Sequence, residues 1–158
     1  MKKSNLFLLT ILFAGLIFSG CGQKGCVDIN ADNYNADADK DDGSCTYPTI
    51  NVNTSSSDND VNGDVIGAGG SATSTFTWNN TSTKAEFSMD LTSSNGGSFN
   101  LTLKDASGTE VLNNTVTAGI GDDSASGLSS AGTVGDWSVT ITLTNFNGDG
   151  SYSIDPRD

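Results

Sequence analysis

The residues of this chain that are best suited to chemistry stand in an acidic stretch, residues 26–45, with a cysteine at each end. Asp37, Asp39 and Asp41 recur there at every second position, and Gly43 follows them closely. Carboxylates crowded in this way repel one another unless a positive charge sits among them. Ca²⁺ takes about six to eight oxygen ligands from carboxylates and carbonyls, and glycine permits the tight turns between them. The pattern therefore predicts a calcium-binding loop, with a solvated acidic spacer as the alternative.

The same stretch also has a family resemblance. Its spacing is not that of an EF-hand, because Asp42 stands where that loop needs glycine. It resembles an acidic cysteine-bounded module of bacterial surface and secreted proteins that is similar to thrombospondin type 3 calcium repeats. The residues that carry the resemblance are Gly25-Cys26, Asp28, Ala31, Asn33-Tyr34-Asn35, Ala36 and Asp41-Asp42-Gly43-Ser44-Cys45. The resemblance implies the following calcium ligands: Asp37, Asp39 and Asp41 first, then Asp28 and Asn35 as weaker ones.

A second acidic run, residues 58–64, matches the first half of a calcium-loop pattern, D-x-[DN]-x-[DN]-G. It lacks the glutamate of the twelfth position, where Gly69 stands. The run therefore predicts weaker metal ligands at Asp58, Asp60 and Asn62, and a plain turn explains it equally well.

The N-terminus indicates export. Lys2 and Lys3 give a positive start, and residues 6–18 form an almost unbroken apolar run that is short for a membrane span. Residues 1–20 are therefore predicted to be a signal peptide. The sequence Phe18-Ser19-Gly20-Cys21 resembles the lipobox of bacterial lipoproteins. The resemblance implies cleavage before Cys21 and attachment of acyl chains such as palmitate, which anchor the protein in the bacterial cell envelope. The outer membrane is the expected location, on its periplasmic or its surface-exposed face.

With lipid on Cys21, the other two of the three cysteines, Cys26 and Cys45, are left as a pair. Export carries them into an oxidising compartment, where a disulfide forms and persists. Closing a loop of this size is worth about 3 kcal/mol in the chain-entropy estimate. Residues 21–48 are therefore predicted to be a lipid-anchored, disulfide-closed spacer that stands between the membrane and a domain at 49–158.

Beyond residue 48 the apolar residues recur with a period of two, which indicates half-buried antiparallel strands. The clearest runs are Phe76 and Trp78; Ala85, Phe87, Met89 and Leu91; Phe99, Leu101 and Leu103; Trp137, Val139, Ile141 and Leu143; Tyr152 and Ile154. Clusters of Ser, Asn, Asp and Gly mark turns between them. Seven or eight strands of this kind predict an all-β fold, an antiparallel β-sandwich of jelly-roll type. Residues 145–150 are predicted to be a hairpin turn, and residues 119–134 a surface loop.

This strand region resembles the bacterial pre-peptidase C-terminal type of β-sandwich and its jelly-roll relatives. The residues concerned are Gly97-Ser98-Phe99-Asn100-Leu101-Thr102-Leu103-Lys104-Asp105, Gly108-Thr109-Glu110-Val111, Asp136-Trp137-Ser138-Val139-Thr140-Ile141 and Gly150-Ser151-Tyr152-Ser153-Ile154. Proteins of this kind are accessory modules. The resemblance implies a role in binding or folding rather than in catalysis.

Composition argues against several classes of function. The chain has no histidine, which removes Ser-His-Asp and Cys-His catalysis and the usual zinc sites. A net charge of −12 is unsuited to a phosphate backbone, so nucleic-acid binding is not expected. Acids near strands, such as Glu86 and Glu110, alternate with apolar residues and are expected on the solvated face. We therefore expect no enzyme activity.

The aromatic residues bear on whether the sandwich presents a binding surface. Trp78, Trp137 and Tyr152 are in phase with the apolar residues and are predicted to lie in the core. Phe146 stands in the predicted turn and is the candidate for an exposed ring.

Together these features predict a lipid-anchored, non-catalytic envelope protein, in which a structural calcium loop accompanies a β-sandwich for adhesion, scaffolding or ligand binding. The alternative is a carbohydrate-binding module of a surface glycan system. A third hypothesis is a hydrolase whose site is not recognised, with Glu86 or Glu110 as the acid. The expected partners are a membrane, through lipid on Cys21, and a glycan or protein ligand.

Overall fold

The computed structural model describes residues 22–55, 59–93, 96–117, 119 and 121–158. The predicted signal peptide, Cys21 and Asp58 lie outside these residues. The strands, in chain order, are β1 Lys24–Gly25, β2 Lys40–Asp41, β3 Thr49–Ile50, β4 Asn53–Thr54, β5 Val61–Asn80, β6 Lys84–Ser93, β7 Ser98–Lys104, β8 Glu110–Thr117, β9 Gly121–Leu128 and β10 Gly135–Arg157. The described part of the chain is all β, and it contains no apolar helix of membrane-spanning length.

Two long strands, β5 and β10, run through the whole molecule. They pair antiparallel from Gly135 opposite Asn80 to Ile154 opposite Val61. The register shifts between Leu143 and Phe146, where β10 bulges and bends. Strands that bend at bulges in this way pass from one sheet of a sandwich to the other.

The bend divides the strands into two packed layers. In layer 1 the order is β8, β7, the first half of β10 and the second half of β5. In layer 2 the order is β9, β6, the second half of β10 and the first half of β5, with β3 and β4 on its edge. When each long strand is counted once in each layer the main strands number eight, so the predicted antiparallel β-sandwich is confirmed.

The core lies between the layers and follows the predicted alternation. Trp78 and Trp137 are direct cross-strand partners, and their rings meet edge to face with centroids 5.9 Å apart. Phe99 of layer 1 meets Tyr152 of layer 2 at 6.3 Å, which ties the two layers together. Each indole N–H also donates to a backbone carbonyl at 2.7 Å, so neither tryptophan buries an unpaired donor. The prediction that Trp78, Trp137 and Tyr152 belong to the core is confirmed.

Two predictions about irregular segments are wrong. Residues 145–150 are not a hairpin turn but lie inside β10 at its bend, and Phe146 is fully buried instead of exposed. Asn145 takes a positive φ of 46° there, which a bulge requires as much as a turn does. Residues 121–128 are not a loop but form β9, which pairs with β6. Its Ser- and Gly-rich sequence has no apolar alternation to show this.

Asp105 holds the turn after β7 in place. Its carboxylate is largely buried and accepts hydrogen bonds from the backbone N–H groups of Ser107, Thr109 and Thr133 and from the Ser107 hydroxyl, at 2.7–3.0 Å. These bonds hold the pKa of Asp105 well below its ordinary value of 3.8, and the bond from the Thr133 N–H has the largest effect. The ionised form is therefore part of the folded structure.

A pH-dependent contribution to stability follows from this site. Because the folded-state pKa of Asp105 is lowered, its contribution is present above pH 3.8 and is lost as the pH falls toward the folded-state pKa. We expect Asp105→Asn to unfold at lower urea concentration than the native chain at pH 7, with the difference shrinking below pH 3.8. Asp149→Asn, at an exposed position, is the control. A difference that does not change with pH would contradict the prediction.

Candidate binding groove

The acidic cysteine-bounded loop is closed as predicted. Cys26 and Cys45 form a disulfide, with their Cα atoms 4.8 Å apart. Lys24 and Gly25, just before Cys26, pair in parallel with Lys40 and Asp41 inside the loop. Buried Cys26 lies beside this small sheet and gives the loop a fixed shape although the loop buries little else.

The loop is packed against the sandwich. Asp32 Oδ1 accepts the backbone N–H groups of Ala68 and Gly70 at 2.8 and 2.9 Å. The N–H of Ser71 donates to the carbonyl of Asn30 at 2.8 Å. A side chain at Gly70 would come within 2.5 Å of that carbonyl oxygen, so the close approach requires glycine. The loop thus covers the edge of β5 near its bend.

The predicted calcium ligands are placed in the loop as follows. Asp37, Asp39 and Asp41 are exposed. Several ligand oxygens make local turns: Asn35 Oδ1 accepts the N–H of Asp37, and Asp41 Oδ1 accepts the N–H of Gly43, both at 3.0 Å. Nowhere in the described ranges do three acidic or cysteine side chains form a group that could hold a metal ion. The calcium site stays a prediction.

The weaker metal ligands lie near the start of β5. Asn62 is exposed on the outer face of layer 2, and Asp60 has a buried Oδ1 with no hydrogen-bond partner among the described residues. Asp155 lies close by, and its pKa is raised by burial first and then by the charges of Asp60 and Glu86. Glu86 forms an ion pair with Arg157, which compensates part of this negative charge.

The two acids named for a hydrolase do not form a pair. Glu86 lies on β6 in layer 2, opposite Asp155, whereas Glu110 begins β8 in layer 1, opposite Lys104. Two carboxylates that cleave a glycosidic bond must flank it at a separation of about 5–9.5 Å. Glu86 and Glu110 lie on strands of different layers and do not face each other across a pair of strands.

A groove opens between the docked loop and the outer face of layer 1. Its volume is about 460 Å³. The loop contributes Asn30, Tyr47 follows the loop two residues after Cys45, and the sheet contributes hydroxyls from β5 and β10. The polar groups that line it are Asn30, Tyr47, Ser71, Thr73, Thr142 and Thr144. All of these side chains are uncharged at neutral pH.

Tyr47 is the aromatic residue of the groove, and its ring is held in a defined position. The side chain is 48% exposed, and its hydroxyl donates to Asp28 Oδ2 at 2.8 Å. That bond raises the pKa of Tyr47. The pKa of Asp28 is lowered, first by the backbone N–H of Asn30 and then by Tyr47. A neutral phenol therefore donates to an ionised carboxylate, and the side chain stays half-exposed where it lines the groove.

A second depression, of about 270 Å³, lies on the outer face of layer 2. Its lining includes Asn62, Asp64, Ser88 and Ser151. Tyr152 lies beneath it, is only 3% exposed and donates its hydroxyl to the carbonyl of Asn51 at 2.9 Å. Burial, and next the charge of Asp64, raise its pKa to about 12. The depression thus offers an acidic, hydroxyl-rich surface with no open aromatic ring among its lining residues.

Comparison with known proteins gives only distant similarity. The chain matches no protein-family model and no curated protein at a significant level. Among solved structures, it is similar to an arabinose-bound α-L-arabinofuranosidase, with 13% identity, a TM-score of 0.39 and coverage of 69% of this chain and 22% of that one.

Two further similar structures are carbohydrate-binding modules. One belongs to family 4, with 9% identity, a TM-score of 0.39 and coverage of 68% of this chain and 78% of that one. The other is the family 11 module of the cellulosomal cellulase Lic26A-Cel5E of Clostridium thermocellum, with 11% identity, a TM-score of 0.35 and coverage of 70% and 82%.

The docking contact of Asp32 can be tested by its effect on stability. Because two N–H groups lose their carboxylate acceptor, Asp32→Ala is expected to lower the free energy of unfolding by about 2 kcal/mol. Asp37→Ala removes the same charge from an exposed position of the same loop and is the matched control. Urea denaturation of both variants with chelator present measures the difference. Equal stability of the two variants would contradict the contact.

Proposed function

We propose that this chain is a non-catalytic, glycan-binding protein of the bacterial envelope and that its ligand occupies the groove beside Tyr47. One observation carries the proposal: a half-exposed aromatic side chain, an amide and several hydroxyls line one groove, and none of the lining side chains is charged. A sugar ring has an apolar C–H face and a rim of hydroxyls. The groove offers a partner for each.

The rigidity of the groove supports this function. Tyr47 is bonded to Asp28 of the loop, and the loop is closed by the disulfide and bonded to β5 through Asp32. A site that is ordered before binding loses little conformational entropy when the ligand arrives. Hydroxyls and an amide placed on rigid elements can therefore contribute to affinity as well as to orientation.

The polarity of the groove favours a glycan over a protein ligand. The buried centres of protein interfaces are enriched in aromatic and apolar residues and contain few small hydroxyl side chains. Here Tyr47 is the single aromatic side chain among the lining residues, and most of the others are Ser, Thr or Asn. Such a surface suits a ligand that is itself covered with hydroxyls.

The anchoring remains part of the proposal. We propose that residues 1–20 are removed and that Cys21 carries lipid, which would hold the groove at the cell envelope and most simply in the outer membrane. The support is the lipobox-like sequence before Cys21. Mass spectrometry of the mature N-terminus tests it, and an unmodified Cys21 in the native protein would contradict it.

Calcium binding by the acidic loop is also proposed, with a structural role. The support is the exposed carboxylate series Asp37, Asp39 and Asp41 on a disulfide-closed loop. Isothermal titration of the oxidised protein should show a Kd of about 10⁻⁴–10⁻³ M, as extracellular calcium modules do. Absence of both heat and thermal stabilisation at millimolar Ca²⁺ would contradict the proposal.

The glycan proposal is tested by changing the ring of Tyr47. A panel of uncharged polysaccharides, such as β-glucan, mannan, xylan and galactan, is screened by affinity gel electrophoresis with the soluble chain that begins at residue 22. For any polysaccharide that binds, Tyr47→Ala is expected to weaken affinity about tenfold or more, because the stacking surface is lost. Tyr47→Phe keeps the ring and should retain most of the affinity.

The matched control is Tyr34→Ala, since Tyr34 lies in the loop and is exposed to 44% but does not line the groove. Tyr34→Ala should bind like the native chain. If Tyr34→Ala and Tyr47→Ala weakened binding equally, the assignment of the groove would be contradicted. If none of the polysaccharides slowed the native chain in the gel, the proposed function would be contradicted.

A further inference from the structure

The groove opens onto a regular row of hydroxyls on layer 1. The outward-facing side chains of β5 and β10 form this surface, which we call the threonine face: Thr73, Thr75 and Thr77 on β5, and Thr140, Thr142 and Thr144 on β10. Each of these residues alternates with one that points into the core. Thr73, Thr142 and Thr144 also line the groove, so the groove and the face are one continuous surface.

The threonine face is ordered by its own hydrogen bonds. Thr75 is the direct partner of Thr140, and Thr73 that of Thr142. Their hydroxyls lie 3.0 and 3.5 Å apart, within hydrogen-bond range across the strands. Because β-branched side chains have few rotamers and these are also tied to each other, the face is preorganised.

The threonine face is also uncharged, which is unusual in a chain with 19 acidic residues. Between Ser71 and Thr77 on β5, and between Ser138 and Thr144 on β10, no residue carries a charge. The outer face of layer 2 differs, because it exposes Asp64, Asp90 and Asp149. The threonine face, unlike the outer face of layer 2, therefore carries no carboxylate of its own.

Resting on the proposed function, we infer that an uncharged polysaccharide chain held at Tyr47 continues along the threonine face toward Thr77. The six steps between the seven residues from Ser138 to Thr144 span about 20 Å at the rise of a β-strand, which is long enough for several sugar units. Hydroxyls at regular intervals along the strands would meet the repeating hydroxyls of such a chain. The threonine face would thus extend the binding site beyond the groove, and its lack of charge would favour neutral glycans.

The experiment compares short and long oligosaccharides of one neutral series, drawn from the polysaccharide that binds best. Isothermal titration of the native chain should give an affinity that continues to rise beyond the length that fills the groove. Thr140→Glu places a charge in the middle of the face and should weaken binding of the long oligosaccharide about tenfold, while it leaves the short one unchanged. Thr77→Glu, at the exposed far end, should affect only the longest ligands.

Two controls keep the outcome interpretable. Ser126→Glu introduces the same charge on exposed β9 of layer 2 and should leave all affinities unchanged. Thermal unfolding confirms that each variant is folded. If Thr140→Glu does not fold, Thr77→Glu serves as the test in its place. Length-independent affinity, or long-ligand binding that neither face variant weakens, overturns this inference and leaves the groove assignment intact.

Two other results would also overturn it. Failure of every neutral glycan to bind contradicts the proposed function itself, and the inference fails with it. A dimer in sedimentation velocity that Thr140→Glu dissociates would show that a second copy of the chain covers the face instead.

Discussion

The bend shared by β5 and β10 is the constraint on which the rest of the structure depends. Both strands must change layers at the same place, because they remain paired on either side of it. β10 has one extra residue between Leu143 and Phe146, and β5 has one between Gly70 and Ala68, so the register is the same on both sides of the bend. A side chain at Gly67 would meet the Phe146 carbonyl at 2.7 Å. Every other main strand joins the sandwich by pairing with β10 or with a strand that does.

The bend also determines where the cysteine-bounded loop can attach. Near the bend, β5 leaves backbone N–H groups at residues 68, 70 and 71 that β3 does not reach, since β3 pairs only with Ile66 and Val65. Asp32 and the Asn30 carbonyl accept these groups. An unprotected sheet edge is thereby covered, and the loop that covers it becomes one wall of the groove. The bend that forms the two layers of the sandwich therefore also determines where the groove lies.

The sequence predicts the features that repeat or that follow from local chemistry. Alternation at Trp137–Leu143 indicates a buried face, and the lipobox-like Cys21 leaves Cys26 and Cys45 to form the disulfide. The bend escapes prediction, because Asn145 and Gly148 give the same signal for a bulge as for a turn. β9 escapes because small polar residues pair there through their backbone. The groove escapes because Asp32 meets Ala68 across 36 positions of the chain, and no local pattern marks that contact.

The tryptophan pair in the core gives the protein a built-in optical reporter. Its indoles are the only two in the chain, and they are nearly perpendicular, at 82°, with centroids 5.9 Å apart. At that separation their ultraviolet transitions are coupled, so the pair should produce a circular-dichroism couplet that isolated indoles lack. Because Trp78 belongs to β5 and Trp137 to β10, the couplet reports on the register of the two longest strands. Its disappearance would mark their separation without any added label.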